Sequence, residues 1–203
     1  MRVITGSARG MRLTAPEGMD VRPTTDKVKE SIFNIIQFDL ADAEVLDLFA
    51  GSGQLGIEAL SRGASRGTFV DSSERSLRFV RENLKKTRLE DRAAVRKSDA
   101  RQFLSTTRDT FHVALLDPPY RKQILPAILP SLANHMDSDG VIVCETASEE
   151  ELPSKLPGFS APREYRYGKI KLTVYRGEGE SNNGYGNLSR EFRPGDQWTY
   201  RRH

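Results

Sequence analysis

The run His112–Lys122, HVALLDPPYRK, joins an apolar segment to an acid, two prolines and a tyrosine. Val113–Leu116 read as the end of a buried strand. Asp117-Pro118-Pro119-Tyr120 stops it, because proline has no N–H for a ladder and drives its predecessor out of the helical region. A carboxylate, a carbonyl and a ring are then held stiffly at a strand's carboxyl end, where open parallel sheets take their ligands. These groups suit an exocyclic amino nitrogen on a nucleobase. The Asp117 carboxylate and the Pro118 carbonyl accept its hydrogens and stabilise the positive charge that develops as it attacks, while Pro119 fixes the turn and Tyr120 stacks on the ring.

A second constellation precedes it. Gly51-Ser52-Gly53-Gln54-Leu55-Gly56 follows the strand-like EVLDLFA and opens a helix. Glycines there let the backbone approach a ligand and leave helix N–H groups facing it, a spacing shared with NAD-binding domains. Asp71 ends the next strand about 20 residues after Gly51, the place from which an acid binds ribose hydroxyls. Asp47 lies inside the first strand, where a buried carboxylate is costly without a partner. That position suits a cationic amino-acid moiety better than a pyrophosphate. S-adenosylmethionine carries such an ammonium group and no phosphate. Asp99, in RKSDA, either accepts from an adenine amino group or caps the next helix. A methyl donor at the tips of three strands then meets an acceptor at the tip of the fourth.

Alternating elements must position these groups. Arg2–Thr14 suggests a short hairpin. In RPTTDKVKESIFNII, Thr24 or Thr25 is expected to cap a helix with Val28, Ile32, Ile35 and Ile36 inward. GQLGIEALSRG is a helix, GTFVD a strand, and Ser72 or Ser73 caps a basic helix reaching Lys86. AAVRK, HVALLD and GVIVCE are further strands, with helical stretches between them, and EYRYGKIKLTVYR is a strand pair turning at Gly168. This order predicts an α/β fold, a Rossmann-like, doubly wound, mostly parallel sheet with an antiparallel C-terminal strand pair. The expected organisation is an N-terminal hairpin and helix extension over 1–40, a core domain over 41–176, and a flexible polar and basic tail over 177–203.

Composition narrows the classes. The chain has 203 residues, 37% hydrophobic and 29% charged, with a net charge of +3. That length holds one sizeable core. No run of about 18 apolar residues marks a membrane span, and MRVITGSARG lacks the apolar centre of a secretory signal. The single cysteine, Cys144, precludes an intramolecular disulfide framework and suits packing in an apolar strand. A cytoplasmic location is expected. His112, His135 and His203 are too scattered for a metal centre, so none is expected. Arg75, Arg78 and Arg81, and the basic residues among aromatics near the C-terminus, suit RNA phosphates and bases, or else a solvated face.

VLDLFAGSGQLGIEALSRGA, FVD, SDA and LLDPPY together resemble a class I S-adenosylmethionine-dependent methyltransferase of the amino-methylating group. RVITGSARGMRLTAP and RPTTDKVKESIFNII resemble the RsmD family, bacterial enzymes that methylate N2 of a guanine in small-subunit (16S) ribosomal RNA. The resemblance runs from about Met1 to Arg176. It implies that Asp47, Gly51, Ser52, Gly53, Asp71, Ser72, Asp99 and Ala100 line the cofactor site. It also implies that Asp117–Tyr120 hold the target amino group, and that Arg22, Thr24 and Asn34 close the pocket. Asp71 stands where such enzymes commonly have glutamate. The implied substrate is 16S rRNA, within an assembling subunit, and the enzyme a monomer. An N6-adenine DNA methyltransferase shares the four-residue clamp, and a non-enzymatic RNA-binding protein shares the fold. A dehydrogenase leaves Asp47 and the clamp unexplained.

Overall fold

β1 (Glu44–Asp47), β2 (Arg66–Asp71), β3 (Ala93–Lys97), β4 (Phe111–Leu116) and β5 (Met136–Ala147) run parallel. With β6 (Arg163–Tyr167) and β7 (Ile170–Arg176) they form one sheet in the order β3-β2-β1-β4-β5-β7-β6. The computed structural model describes residues 1–15, 23–119 and 124–179, with 23–25 as backbone only. β7 is antiparallel to both its neighbours and lies between β5 and β6. Its composition explains the insertion: Ile170–Tyr175 are all buried, as an interior strand requires, whereas β6 is polar and forms the edge.

Five helices cover the sheet among the described residues. α1 (Pro23–Ile35), α2 (Gln54–Ser61) and α3 (Glu74–Thr87) pack on one face, against Val45, Phe69, Val113, Leu115, Val141 and Val143. α4 (Ala100–Thr106) and α5 (Ile124–Ala133) pack on the other, against Leu46, Val70, Ala114, Leu116 and Ile142. Alternation along each strand divides its residues between the two faces. The chain order reverses between β1 and β4, so the crevice at their carboxyl ends is the switch point where such sheets bind ligands.

Three local expectations are refined. The N-terminal segment is a turn-rich loop closed by one bridge, Arg2 to Arg12, rather than a ladder. α1 begins at Pro23, so Thr24 and Thr25 lie inside its first turn instead of capping it. Proline favours that first helical position because its missing N–H has no partner there in any case. β5 starts at Met136, before the apolar run that marks it in the sequence. Beyond Arg176 the backbone stays docked: Gly177 N–H donates to Gly140 O at 2.8 Å and Gly179 N–H to Ser138 O at 2.9 Å. Residues 180–203 of the expected tail lie outside the described residues.

A buried ionic knot fixes α1 and the N-terminal loop on α2. Glu58 is fully buried and accepts from the N–H groups of Ile4 (2.7 Å) and Thr5 (3.0 Å) and from Arg62 Nε (2.8 Å). Lys29, 2% exposed, lies 3.6 Å from the same carboxylate and donates to Arg2 O at 2.6 Å. Each of these charges is hydrogen-bonded, the condition under which burial is tolerable. Burial still lowers the Lys29 pKa, against the pull of Glu58. Arg62 also lies 4.8 Å over the Phe33 ring. Lys29 beside Glu58 and Phe33 beside Arg62 mean that α1 runs parallel to α2, its first turn toward the strand tips.

Gly56 makes a close approach that no other residue permits. A Cβ there would stand 2.3 Å from Phe69 Cε1, a ring with no solvent exposure. We expect Gly56→Ala to destabilise the fold by about 1–3 kcal/mol despite alanine's better helix propensity, since a rigid ring must shift. Urea unfolding measures this; an unchanged midpoint contradicts it.

Candidate active site

β1 delivers Asp47 to the crevice floor, 2% exposed. Its Oδ2 accepts from Gly56 N–H at 2.9 Å, inside the first turn of α2. The acid therefore satisfies one of the helix's otherwise unpartnered N–H groups, a role that strand periodicity alone does not reveal. Burial pushes its pKa up to about 7; the Gly56 bond opposes this and Asp71 adds to it. Gly51 and Gly53 hold φ of 54° and 80°, left-handed values that suit glycine, and bend the chain from β1 into α2. A Cβ on Gly51 would have no neighbour closer than 4.0 Å, so the loop borders open space. Ser52, buried, is tied from behind: its carbonyl accepts from Asn83 Nδ2 at 2.9 Å.

Asp71 ends β2 and braces the loop, accepting from Gly51 N–H at 2.9 Å through Oδ2 and from Ser73 N–H at 2.8 Å through Oδ1. Ser73, rather than Ser72, caps α3 by accepting from Ser76 N–H at 3.2 Å; Ser72 is exposed beside it. Asp99 caps α4, accepting from Arg101 N–H at 2.9 Å, and Ala100 is buried in the first turn. The cap expected of Asp99 is therefore present.

Asp117 follows β4 directly. Leu116 pairs with Cys144, so Asp117, just past the end of β4, and Glu145, within β5, stand side by side on the face that carries Asp47. Burial raises the Asp117 pKa well above the carboxylate range, and the Glu145 and Asp47 charges push it further. Glu145, 8% exposed, reads in the sequence only as a strand end. Its signal is a charge closing the apolar run GVIVC. Pro118 is buried and Pro119 exposed; Tyr120 and Arg22 lie outside the described residues, as does the Thr24 side chain.

Asn34 is not brought to this crevice. It is exposed one residue before the end of α1, and the next carbonyl, Ile35 O, accepts from Arg176 Nη2 at 3.2 Å. Arg176 is level with Val141, four residues before Glu145 along β5 and level with Val113 and Val45 near the amino ends of β4 and β1. The structure thus gathers Asp47, Gly51–Gly53, Asp71, Asp99 and Asp117 at the tips of adjacent strands and leaves Asn34 at their far end.

The donor set tests what the crevice can hold. Its acidic side chains stand at the carboxyl ends of β1, β2, β3 and β4 and within β5, beside a glycine turn open to solvent. They fit a cationic ligand bearing hydroxyl and amino groups and oppose a pyrophosphate. Among the described residues no cluster of three or more His, Cys, Asp or Glu side chains has metal-binding geometry. No described helix is long and apolar enough to cross a membrane. Cys144 is fully buried, and burial raises its thiol pKa, which removes a thiolate nucleophile.

The family model described as "Conserved hypothetical protein 95" matches residues 1–176. The chain belongs to this family, the RsmD family. "Putative rRNA methyltransferase YlbH" of Bacillus subtilis is 44% identical over 184 residues, covering 88% of the chain and all of the relative. "Ribosomal RNA small subunit methyltransferase D" of Escherichia coli K12 is 34% identical over 90% of the chain and 93% of its own length. Among solved structures, "Putative methyltransferase yhhF from Escherichia coli" superposes with a TM-score of 0.79 at 33% identity, over 89% of this chain and 99% of that one. The sheet order and its crevice are therefore those of a Rossmann-like methyltransferase.

Proposed function

We propose that this RsmD-family chain transfers a methyl group from S-adenosylmethionine to the exocyclic N2 amino group of a guanine in small-subunit (16S) ribosomal RNA. Relatives named for rRNA methylation support the reaction class. The observation that carries the reading is the Asp117 carboxyl at the β4 tip, one switch point away from Asp47 and the open glycine loop.

The residues divide the work by position. Asp47 is placed to receive the ammonium group of the cofactor's methionine moiety. Gly51–Gly53 let that moiety lie against the backbone, while Ser72 and Ala100 flank the adenosine part. Asp71 and Asp99 stand where ribose hydroxyls and the adenine amino group would reach them, each retaining acceptor capacity beyond its backbone bonds. S-adenosylmethionine supplies a methyl group on a sulfonium, already activated for displacement.

Asp117 and the Pro118 carbonyl hold the two amino hydrogens, turning the nitrogen lone pair out of conjugation with the ring. Pro119 stiffens that turn. Tyr120 is assigned to stacking on the extruded base, and Arg22 and Thr24 to closing the pocket. As the nitrogen–carbon bond forms and the carbon–sulfur bond breaks, the nitrogen gains a positive charge and then releases a proton. The carboxylate beside it stabilises that charge and is the nearest acceptor for the proton.

The test is methyl transfer from radiolabelled S-adenosylmethionine to 16S rRNA, free and in small subunits lacking native modification, with duplex DNA in parallel. Product nucleosides are identified by mass spectrometry. N2-methylguanosine in either RNA sample supports the proposal. N6-methyladenine in the DNA sample, or no product with cofactor bound, overturns it.

A further inference from the structure

The exposed rim of β3 carries a feature that the transfer site does not use. β3 is an edge strand, and between it and the end of α4 lies a cleft of about 380 Å³. Arg96, Lys97 and Arg108 line it with the hydroxyl-bearing Ser98, Thr106 and Thr107, and Asp109 is its only acid. Among the described residues, none of the three cations forms an ion pair within 4.0 Å. The charge continues around the rim: Lys97, Arg78 and Arg81 all act electrostatically on Glu74 of α3, and Arg81 bonds it at 2.8 Å.

Basic residues on an edge strand protect it from pairing with another chain. That purpose accounts for Arg96 and Lys97. It does not account for a concavity that adds Arg108 from the α4–β4 connection and the Thr107 hydroxyl, which accepts from Asp109 N–H and keeps its own proton to donate, whereas Ser98 and Thr106 donate to the carbonyls of Asp99 and Gln102. Guanidinium, ammonium and hydroxyl groups converging on one hollow match the oxygens of a phosphodiester. The cleft flanks the same sheet whose tips carry Asp117. Three strand spacings separate β3 from β4, about 14 Å across the sheet. A chain entering at Asp117 therefore has its neighbouring backbone within reach of this rim.

Building on the proposed RNA substrate, we infer that the β3–α4 cleft binds the sugar-phosphate backbone of that RNA, a few nucleotides from the base held at Asp117. It acts as a docking subsite that sets affinity and orientation without taking part in the transfer.

Arg96→Ala/Lys97→Ala tests this against Lys155→Ala/Arg163→Ala, which removes the same charge from exposed positions elsewhere. Affinity for a 16S rRNA transcript is measured across a salt series. With two phosphate-binding cations removed, the slope of log affinity against log salt shrinks by about 1.4 in the cleft variant, and affinity falls roughly tenfold at low salt. The control pair keeps the parent slope. Calorimetric affinity for S-adenosylmethionine, and the single-turnover rate at saturating RNA, stay within about twofold of the parent, which shows that the variant folds. An unchanged slope overturns the inference, and is the result expected if the cleft serves a protein partner. An equal fall in the control pair also overturns it, by reducing the effect to net charge. A parent chain that binds the transcript but transfers no methyl group overturns the proposed reaction alone.

Discussion

Asp117→Ala lowers the single-turnover rate of methyl transfer by about 10²–10⁴-fold, the range for a positioned proton-handling group. Affinity for S-adenosylmethionine changes little, because Asp117 stands on β4, across the switch point from the glycine loop. Alanine is the informative replacement, since asparagine retains an acceptor oxygen. The pH profile gives an independent reading. Burial and the neighbouring Glu145 and Asp47 carboxylates raise the Asp117 pKa, so the ionised, accepting form is lost at a higher pH than for an ordinary aspartate. Transfer by the parent therefore rises with pH through that elevated pKa, and this limb is absent from the alanine variant. Rapid-quench single turnovers across pH decide the matter; a variant with nearly the parent rate removes Asp117 from the mechanism.

Asp47→Asn produces opposite effects on binding and stability. An amide preserves the shape and keeps an oxygen for Gly56 N–H, but it cannot offer a charge to the cofactor's ammonium group. A hydrogen bond to a charged group contributes about 1.5–3 kcal/mol, so S-adenosylmethionine affinity falls roughly 10–100-fold. The ligand-free protein meanwhile becomes more stable at alkaline pH. Asp47 has a folded-state pKa of about 7, raised from 3.8, so the folded state holds its proton more tightly than the unfolded chain does. Its ionisation therefore destabilises the fold progressively as pH rises above about 4, and the cost is complete above about pH 7. Asparagine has no such cost. At pH 8 we expect a Tm gain of several degrees, on the scale of about 2–4 °C per kcal/mol, vanishing toward pH 4. Calorimetry of binding and thermal melts at the two pH values test both halves. A variant that binds the cofactor like the parent, or melts no higher at pH 8, contradicts this account.

Much of this arrangement is legible because the sequence separates its signals. Strands written as AAVRK and HVALL alternate with amphipathic segments, and the motif glycines Gly51 and Gly53 take the left-handed φ that their turn requires. Asp99 is legible as a helix cap because the cap depends on residues adjacent in the chain. What escapes depends on partners distant in sequence. Glu58 looks like a routine helical acid until Ile4, Thr5 and Lys29 are brought to it. Asn83 lies within a basic helix, yet it is fully buried and bridges Thr14 to Ser52. Glu145 acquires meaning only from the register that places it beside Asp117. Asn34 is the opposite case: the motif sets it in one run with Arg22 and Thr24, but the length of α1 carries it to the far end of the sheet.

The position of β7 constrains how the molecule is made. β5 pairs with β4 on one side, and its other side is covered only when Ile170–Arg176 slot in. A nascent chain that has delivered everything up to β6 still presents the apolar Val141–Cys144 with an open row of backbone donors and acceptors. During that interval the protein is a template for unwanted strand addition, and translation at about 5–20 residues per second sets how long it lasts. A stall before residue 170 prolongs the hazard. Chaperone dependence should accordingly concentrate in the last stage of synthesis, after the crevice that holds Asp47 and Asp117 has already been built.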